Sequence, residues 1–281
     1  MGDHEKTIFI KIAVKFMDEK LYGAFDVKEI RADGDTTRLV DIEKDVIGEI
    51  SLKIYINDTE YASLLCLNQC TEELAIGFLY SEGVIDTIDD IASISYNERL
   101  FAVMVNLAEG KSVEKCESLR SVTSGCGKCF TYINPLKHDK FVPLADDKKF
   151  SLNDILQSMK DFEQRSEIFK TVGGVHSVLF QHGDFAVLNE DIGRHNCFDK
   201  IVGVLLRNNK MNLVENATLF VSGRVSSEIM TKVIRMGVPV LVSRSTPTSA
   251  AVSLARDYHV TLLGYVRGNT GYVYAGESRL I

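Results

Sequence analysis

Two runs in the second half of the chain, Ala217–Val221 and Val238–Val242, read as continuous apolar strands. A strand of that kind is stable only where both faces of a sheet are covered, so the pair predicts the centre of an α/β sheet. The flanking pattern supports this. Strands are predicted at 175–180, 185–188, 217–222, 239–243, 261–266 and 271–275, with helices at 196–206, 226–236 and 248–258 and a turn at His182-Gly183-Asp184. Such an order predicts a three-layer αβα sheet with its ligand crevice at the strand ends. A helix with Leu152, Ile155, Leu156, Met159, Phe162 and Phe169 as its core face, capped from Ser151 and ended by Gly173-Gly174, leads into it.

The first half is patterned differently. Ile50, Leu52, Ile54 and Ile56 alternate with Ser51, Lys53 and Tyr55 in a half-buried strand within Val46–Ile56, and Asn57-Asp58 turns it into Tyr61–Leu65. Thr71 is expected to cap a helix with Leu74, Phe78 and Leu79 as its apolar stripe and Gly83 as its stop. Ile91–Tyr96 and Leu100–Leu107 pair as further strands, while residues 1–38 alternate weakly around an Asp33-Gly34-Asp35 turn. The organisation expected is a small α+β domain over 1–120, a loop and linker over 121–150, and the α/β domain over 151–281.

Composition narrows the function. With 281 residues, 45% apolar and 25% charged, the chain is that of a soluble globular protein. A net charge of −7 argues against nucleic acid or an anionic membrane as partner. No apolar run approaches the ~18–20 residues that span a bilayer. Six cysteines at irregular positions do not suggest a disulfide framework, which points to the cytoplasm.

Two of those cysteines form the sharpest motif, Thr123-Ser124-Gly125-Cys126-Gly127-Lys128-Cys129. Glycines on either side of Cys126 favour an exposed loop, and Lys128 favours the thiolate form that attacks sulfur or binds metal. Reduced surface thiols, a zinc site and thiol redox or sulfur-transfer chemistry are the competing readings. Zinc lacks a second ligand pair, since only Cys116 and His138 lie nearby, and no metal site is assigned. A lone pair of this spacing does not separate redox chemistry from sulfur transfer.

Each strand–helix junction of the second half also carries polar residues: Gly173-Gly174-Val175-His176-Ser177, Glu190 through Asn196, Ser222 through Ser226, and Ser243 through Thr248. Hydroxyls, helix N-termini and arginines are the equipment for holding phosphate, although Ser226 and Thr248 also read as plain helix caps. Neither a P-loop nor a GxGxxG fingerprint is present. His176 and His195 are candidate bases or ligands beside a hydrogen-bonded structural role, and Cys197 reads as a core thiol.

Taken together, Glu73 through Leu79 with Ser81-Glu82-Gly83, Ser124 through Cys129, Gly173 through His176, Asn189 through Asn196, Ser222-Gly223-Arg224, and Ser243-Arg244 through Pro247-Thr248 resemble one family. That family is the FdhD/NarQ group of formate dehydrogenase accessory sulfurtransferases, and the resemblance covers residues ~40–275. Tyr265-Val266-Arg267-Gly268 stands where the family often has a phenylalanine version.

The resemblance implies a cytidine-deaminase-like fold for the second domain. The deaminase zinc signature is absent, because no Glu lies two residues after His176. It further implies a sulfurtransferase that takes sulfur from a cysteine desulfurase as a persulfide on Cys126, assisted by Cys129. The sulfur then passes to the molybdenum or tungsten bis-molybdopterin guanine dinucleotide cofactor, on its way to the catalytic subunit of formate dehydrogenase. Ser222, Arg224, Ser243, Arg244 and the segment Tyr265, Val266, Arg267, Gly268, Asn269 and Thr270 would seat that cofactor, with GDP as an analogue of half of it. A homodimer is expected. The alternative is a non-catalytic carrier that delivers the cofactor and has no use for reactive cysteines.

Overall fold

The computed structural model describes residues 21–112, 121–122, 130–131 and 141–281. Strands β1 (Tyr22–Asp33) and β2 (Thr36–Ile47) form a separate antiparallel ribbon about the expected turn at Gly34. Its strands are longer than the sequence suggested. Both faces of the ribbon carry charge and most of it is exposed, so no apolar stripe announces it. Ile47 still pairs with Tyr22, which delays the next strand from the expected Val46 to Ile50.

Strands β3 (Ile50–Ile56), β4 (Thr59–Cys66), β5 (Ile91–Asn97) and β6 (Ala102–Leu107) make a four-stranded sheet in the order β4-β3-β6-β5. Asn57 and Asp58 both have positive φ, as a two-residue hairpin turn requires. Helix α1 (Thr71–Ser81) follows, but its cap is Cys70 at φ 52 rather than Thr71. Only one stripe of this helix was expected to be buried. Leu74 through Leu79 are all buried, because α1 lies between the four-stranded sheet and a second helix.

Two short strands, β7 (Ser121–Val122) and β8 (Phe130–Thr131), pair antiparallel and flank the CxxC segment in sequence. Cys126 and Cys129 themselves lie outside the described residues, as do Cys116 and His138.

The second half follows its prediction closely. Helix α2 (Leu152–Arg165) is capped by Ser151, whose Oγ accepts from the Asp154 N–H at 3.3 Å. It buries Ile155, Met159 and Phe162, yet Leu152 and Phe169 are exposed, contrary to expectation. The helix breaks at Ser166, and a short α3 (Glu167–Thr171) takes a new direction set by Glu190, whose carboxylate accepts the N–H groups of Ile168 and Phe169. Then come β9 (His176–His182), β10 (Phe185–Asp191), α4 (Arg194–Arg207), β11 (Thr218–Val221), α5 (Ser227–Met236), β12 (Val240–Ser243), α6 (Ser249–Asp257), β13 (Thr261–Arg267) and β14 (Thr270–Ala275).

The six strands run β10-β9-β11-β12-β13-β14, with β11, β12 and β13 mutually parallel and the other pairs antiparallel. One face, with Leu179, Phe220, Val242 and Leu263, packs on α2. The other, with Val178, Phe180, Leu219 and Leu241, packs on α4 and α5 and continues through α4 to α1. The α1–α4 crossing is unusually close. A Cβ on Gly77 would sit 1.7 Å from the Asp199 carbonyl oxygen, and one on Gly203 would sit 1.9 Å from that of Glu73. Only glycine permits such an approach, and each helix supplies one.

Candidate functional site

Sheet topology decides where the polar loops meet. Because β11, β12 and β13 are parallel, the segments following them emerge at one edge of the sheet. Because β9 runs antiparallel to β11, the start of β9 lies at that same edge, and Asp191 at the end of β10 pairs there with His176. His176, Asp191 through Asn196, Ser222 through Ser226, Ser243 through Thr248 and Tyr265 onward therefore share one rim, as the sequence implied.

The loops are tied to one another. Ser177 N–H donates to Ser222 Oγ at 2.9 Å, Ser243 Oγ donates to the Gly223 carbonyl at 2.9 Å, and Ser245 N–H donates to Ser243 Oγ at 3.0 Å. Val225 N–H and Thr248 N–H complete a bridge between the second and third loops. Ser243 is fully buried, so its hydroxyl serves this lattice of loop contacts. Ser226 and Thr248 cap α5 and α6 through the N–H groups of Ile229 and Ala251.

What remains at the surface is basic and aromatic. Arg224, Tyr265, Arg267, Gly268, Asn269 and Thr270 are exposed, whereas Val266 is buried beneath them. Arg244 is half-buried, and its Nε lies 3.0 Å from Glu163 Oε1 on α2. Arg267 Nε donates to the Arg244 carbonyl at 3.1 Å, which holds its guanidinium 5.8 Å from the Tyr265 ring centroid. Tyr265 has φ 52 and donates its N–H to the Ser245 carbonyl at 3.0 Å.

Beside these sit both histidines. His195 Nε2 is 3.1 Å from Glu228 Oε2, and the His176 ring comes so close to Gly223 that a Cβ there would be 3.1 Å from Nδ1. Burial, then the positive Arg194 and His195, pushes His176 below the usual imidazole range. Burial also lowers His195, against the opposing pull of Glu228, whose own carboxyl is held low by the hydrogen bond from His195.

Just below the rim, the same stretch of chain does something the sequence did not reveal. Asp191 is wholly buried and accepts from Leu67 N–H at 3.2 Å, Gly193 N–H at 3.0 Å and Asn196 Nδ2 at 2.7 Å, while Lys200 Nζ lies 2.6 Å away. Burial opposes charge on Lys200, but Asp191 outweighs it and holds the ammonium above its usual range. Asn196 also donates to the Leu65 carbonyl, and Asp199 accepts from Ser81 Oγ and Lys232 Nζ at 2.6 Å each. These groups fasten the four-stranded sheet and α1 to the six-stranded sheet. A signal was available: Asn196, Asp199 and Lys200 fall among the apolar residues Cys197, Phe198 and Ile201 through Leu206 of one helix. Glu228 and Glu163 had none, since acids are ordinary on exposed helix faces.

Burial raises the Cys70 thiol to about 11 and also raises the fully buried Cys197, whose Sγ lies 3.3 Å from the His176 carbonyl oxygen. Cys197 is the core thiol expected. No cluster of three or more His, Cys, Asp or Glu able to hold a metal occurs among the described residues, and none of their helices is long and apolar enough to cross a membrane.

A mixed six-stranded sheet with a basic, aromatic rim, joined through a helix to a smaller sheet, defines the class of protein to be sought. Comparison with known proteins finds it. Residues 47–281 match the FdhD/NarQ family, and the chain belongs to that family. It is 37% identical over 248 residues to the "Sulfur carrier protein FdhD" of Geobacillus kaustophilus, covering 87% of this chain and 93% of that one. Against the protein of the same name from Sulfurisphaera tokodaii it is 40% identical over 214 residues, 75% of this chain and 80% of the other. Its fold is shared with the crystal structure of a candidate formate dehydrogenase accessory protein from Desulfotalea psychrophila, at a TM-score of 0.74 and 23% identity, over 92% of this chain and 99% of that one.

Proposed function

We propose that this protein is a sulfur carrier serving formate dehydrogenase, and that it acts as a sulfurtransferase. The observation that carries the reading is kinship over most of the chain with relatives named sulfur carrier protein, in a sequence that has a glycine-flanked cysteine pair. In this reading the Cys126 thiolate attacks the terminal sulfur of a cysteine desulfurase persulfide. A new S–S bond forms on Cys126, the desulfurase thiolate leaves, and no net oxidation occurs. Cys129 assists by exchange.

The rim is the proposed seat of the sulfur's recipient, a molybdenum or tungsten bis-molybdopterin guanine dinucleotide bound as substrate before it reaches formate dehydrogenase. Arg224, Arg244 and Arg267 supply charge for its phosphates, and the Tyr265–Thr270 segment supplies a flat surface for a base. Ser222 and Ser243 act by holding the loops in register. For the six-stranded sheet we propose a cytidine-deaminase-like ancestry with the deaminase chemistry lost. The protein is taken to work in the cytoplasm as a homodimer.

The test is mass spectrometry after incubation with a cysteine desulfurase and cysteine. The peptide carrying Cys126 and Cys129 should gain one sulfur atom, and Cys126→Ala should abolish that gain without altering the thermal melt. Absence of the added sulfur in the wild type would leave the non-catalytic carrier as the better reading.

A further inference from the structure

Tyr265 has an unusual backbone conformation for its residue type. It is an aromatic residue in the left-handed region at the surface of a strand, where a glycine would be relaxed. A register irregularity separates Gly264 from Arg267, and the strained residue lies inside it. Strain kept at an exposed position commonly marks a residue aimed at a ligand.

The neighbouring strand completes the picture. Tyr272 on β14 lies outside the 265–270 segment and is 65% exposed. Its ring centroid is 6.2 Å from that of Tyr265, with the two planes at 83°. Two features fix that geometry. Gly271 lets β14 close on β13, since a Cβ there would be 2.8 Å from Val266 Cγ2. Gly264, the register partner of Tyr272, lets the β12–α6 loop and Tyr274 pack close, since a Cβ there would be 2.8 Å from the Tyr274 ring and 3.1 Å from the Ser245 carbonyl oxygen. The Arg267 guanidinium stands by the Tyr265 ring.

We infer that Tyr272 and Tyr265 form a two-walled aromatic corner that takes a planar heterocyclic base, with Tyr272 as a residue that sets affinity for the base rather than for the phosphates. Two perpendicular rings allow one face for stacking and one edge for contact with the same flat ring. The arginines nearby then address the phosphates from a separate direction. The inference rests on the nucleotide-binding reading given above and adds to it the wall on β14.

Calorimetry with GDP and with inorganic pyrophosphate separates the two. Wild type should bind both. Tyr272→Ala should weaken GDP about tenfold and leave pyrophosphate unchanged, because only the base loses a stacking partner. Tyr272→Phe keeps the ring and should restore wild-type affinity for GDP. Equal GDP binding by Tyr272→Ala and wild type would overturn the corner while leaving nucleotide binding intact. Parallel weakening of both ligands would also overturn it, by assigning Tyr272 to the fold. Failure of wild type to bind GDP would remove the nucleotide reading and the corner with it.

Discussion

The junction beneath α4 and the rim at its N-terminus come from the same short stretch, Asp191 to Lys200, yet their polar residues have opposite fates. Asp191, Asn196, Asp199 and Lys200 are buried and paired, Asp199 with Ser81 and Lys232 and the others with one another, across the two sheets. Arg194 and His195 are half-buried at the rim, among His176, Glu228 and the arginine loops. In sequence Asp191, Arg194, His195 and Asn196 sit in one polar motif, Glu190 through Asn196, and Asp199 and Lys200 lie just beyond it. The difference teaches that a dense polar motif can be half fastening and half rim. The direction each side chain faces decides which, since Asn196, Asp199 and Lys200 face the smaller sheet, α1 and the core, while Arg194 and His195 face the rim.

The largest expected effect comes from the closest contact. Gly203→Ala should destabilise the protein by about 4 kcal/mol or more, because its methyl group has no room beside the Glu73 carbonyl. Urea unfolding measures it, and a loss below 1 kcal/mol would mean that the helices separate easily. Next, Lys200→Met should cost about 3–5 kcal/mol by leaving the Asp191 carboxylate buried without its cation. If that variant instead melted normally and lost nucleotide binding, the division between junction and rim would be wrong.

The smallest effect belongs to the rim and depends on pH. Both His176 and His195 are lowered in the folded state, so the unfolded chain binds more protons just below the ordinary imidazole value of about 6.5. Stability should therefore fall as pH drops through that window, by about 2–4 °C in Tm. Glu228, held low, adds a further loss in the more acidic carboxylate range. The double variant His176→Asn/His195→Asn should flatten the upper part of the curve. A slope unchanged by it would assign the pH response to other groups.

Much of this architecture was legible because the second half is locally consistent. Apolar strands, Ser226 and Thr248 as caps, and Gly237 at φ 83 all point to one alternation of strand and helix. The β1–β2 ribbon was not legible, since its exposed strands carry no one-sided pattern. Phe169 misled because helical periodicity continues across Ser166, where the chain actually turns to meet Glu190. The rim's loops were found by composition, but its pairs were not. His195 with Glu228 and Arg244 with Glu163 join residues from separate elements, and no spacing rule connects them.

The reciprocal glycines at the α1–α4 crossing bear on motion as well as on stability. Sliding one helix along the other by a residue would drive a side chain into the opposing backbone at both contacts at once, so the pair has a single register. Shear between the two sheets is thereby blocked. The smaller sheet and the rim travel as one body, and adjustment to a bound partner falls to the loops at the sheet edge.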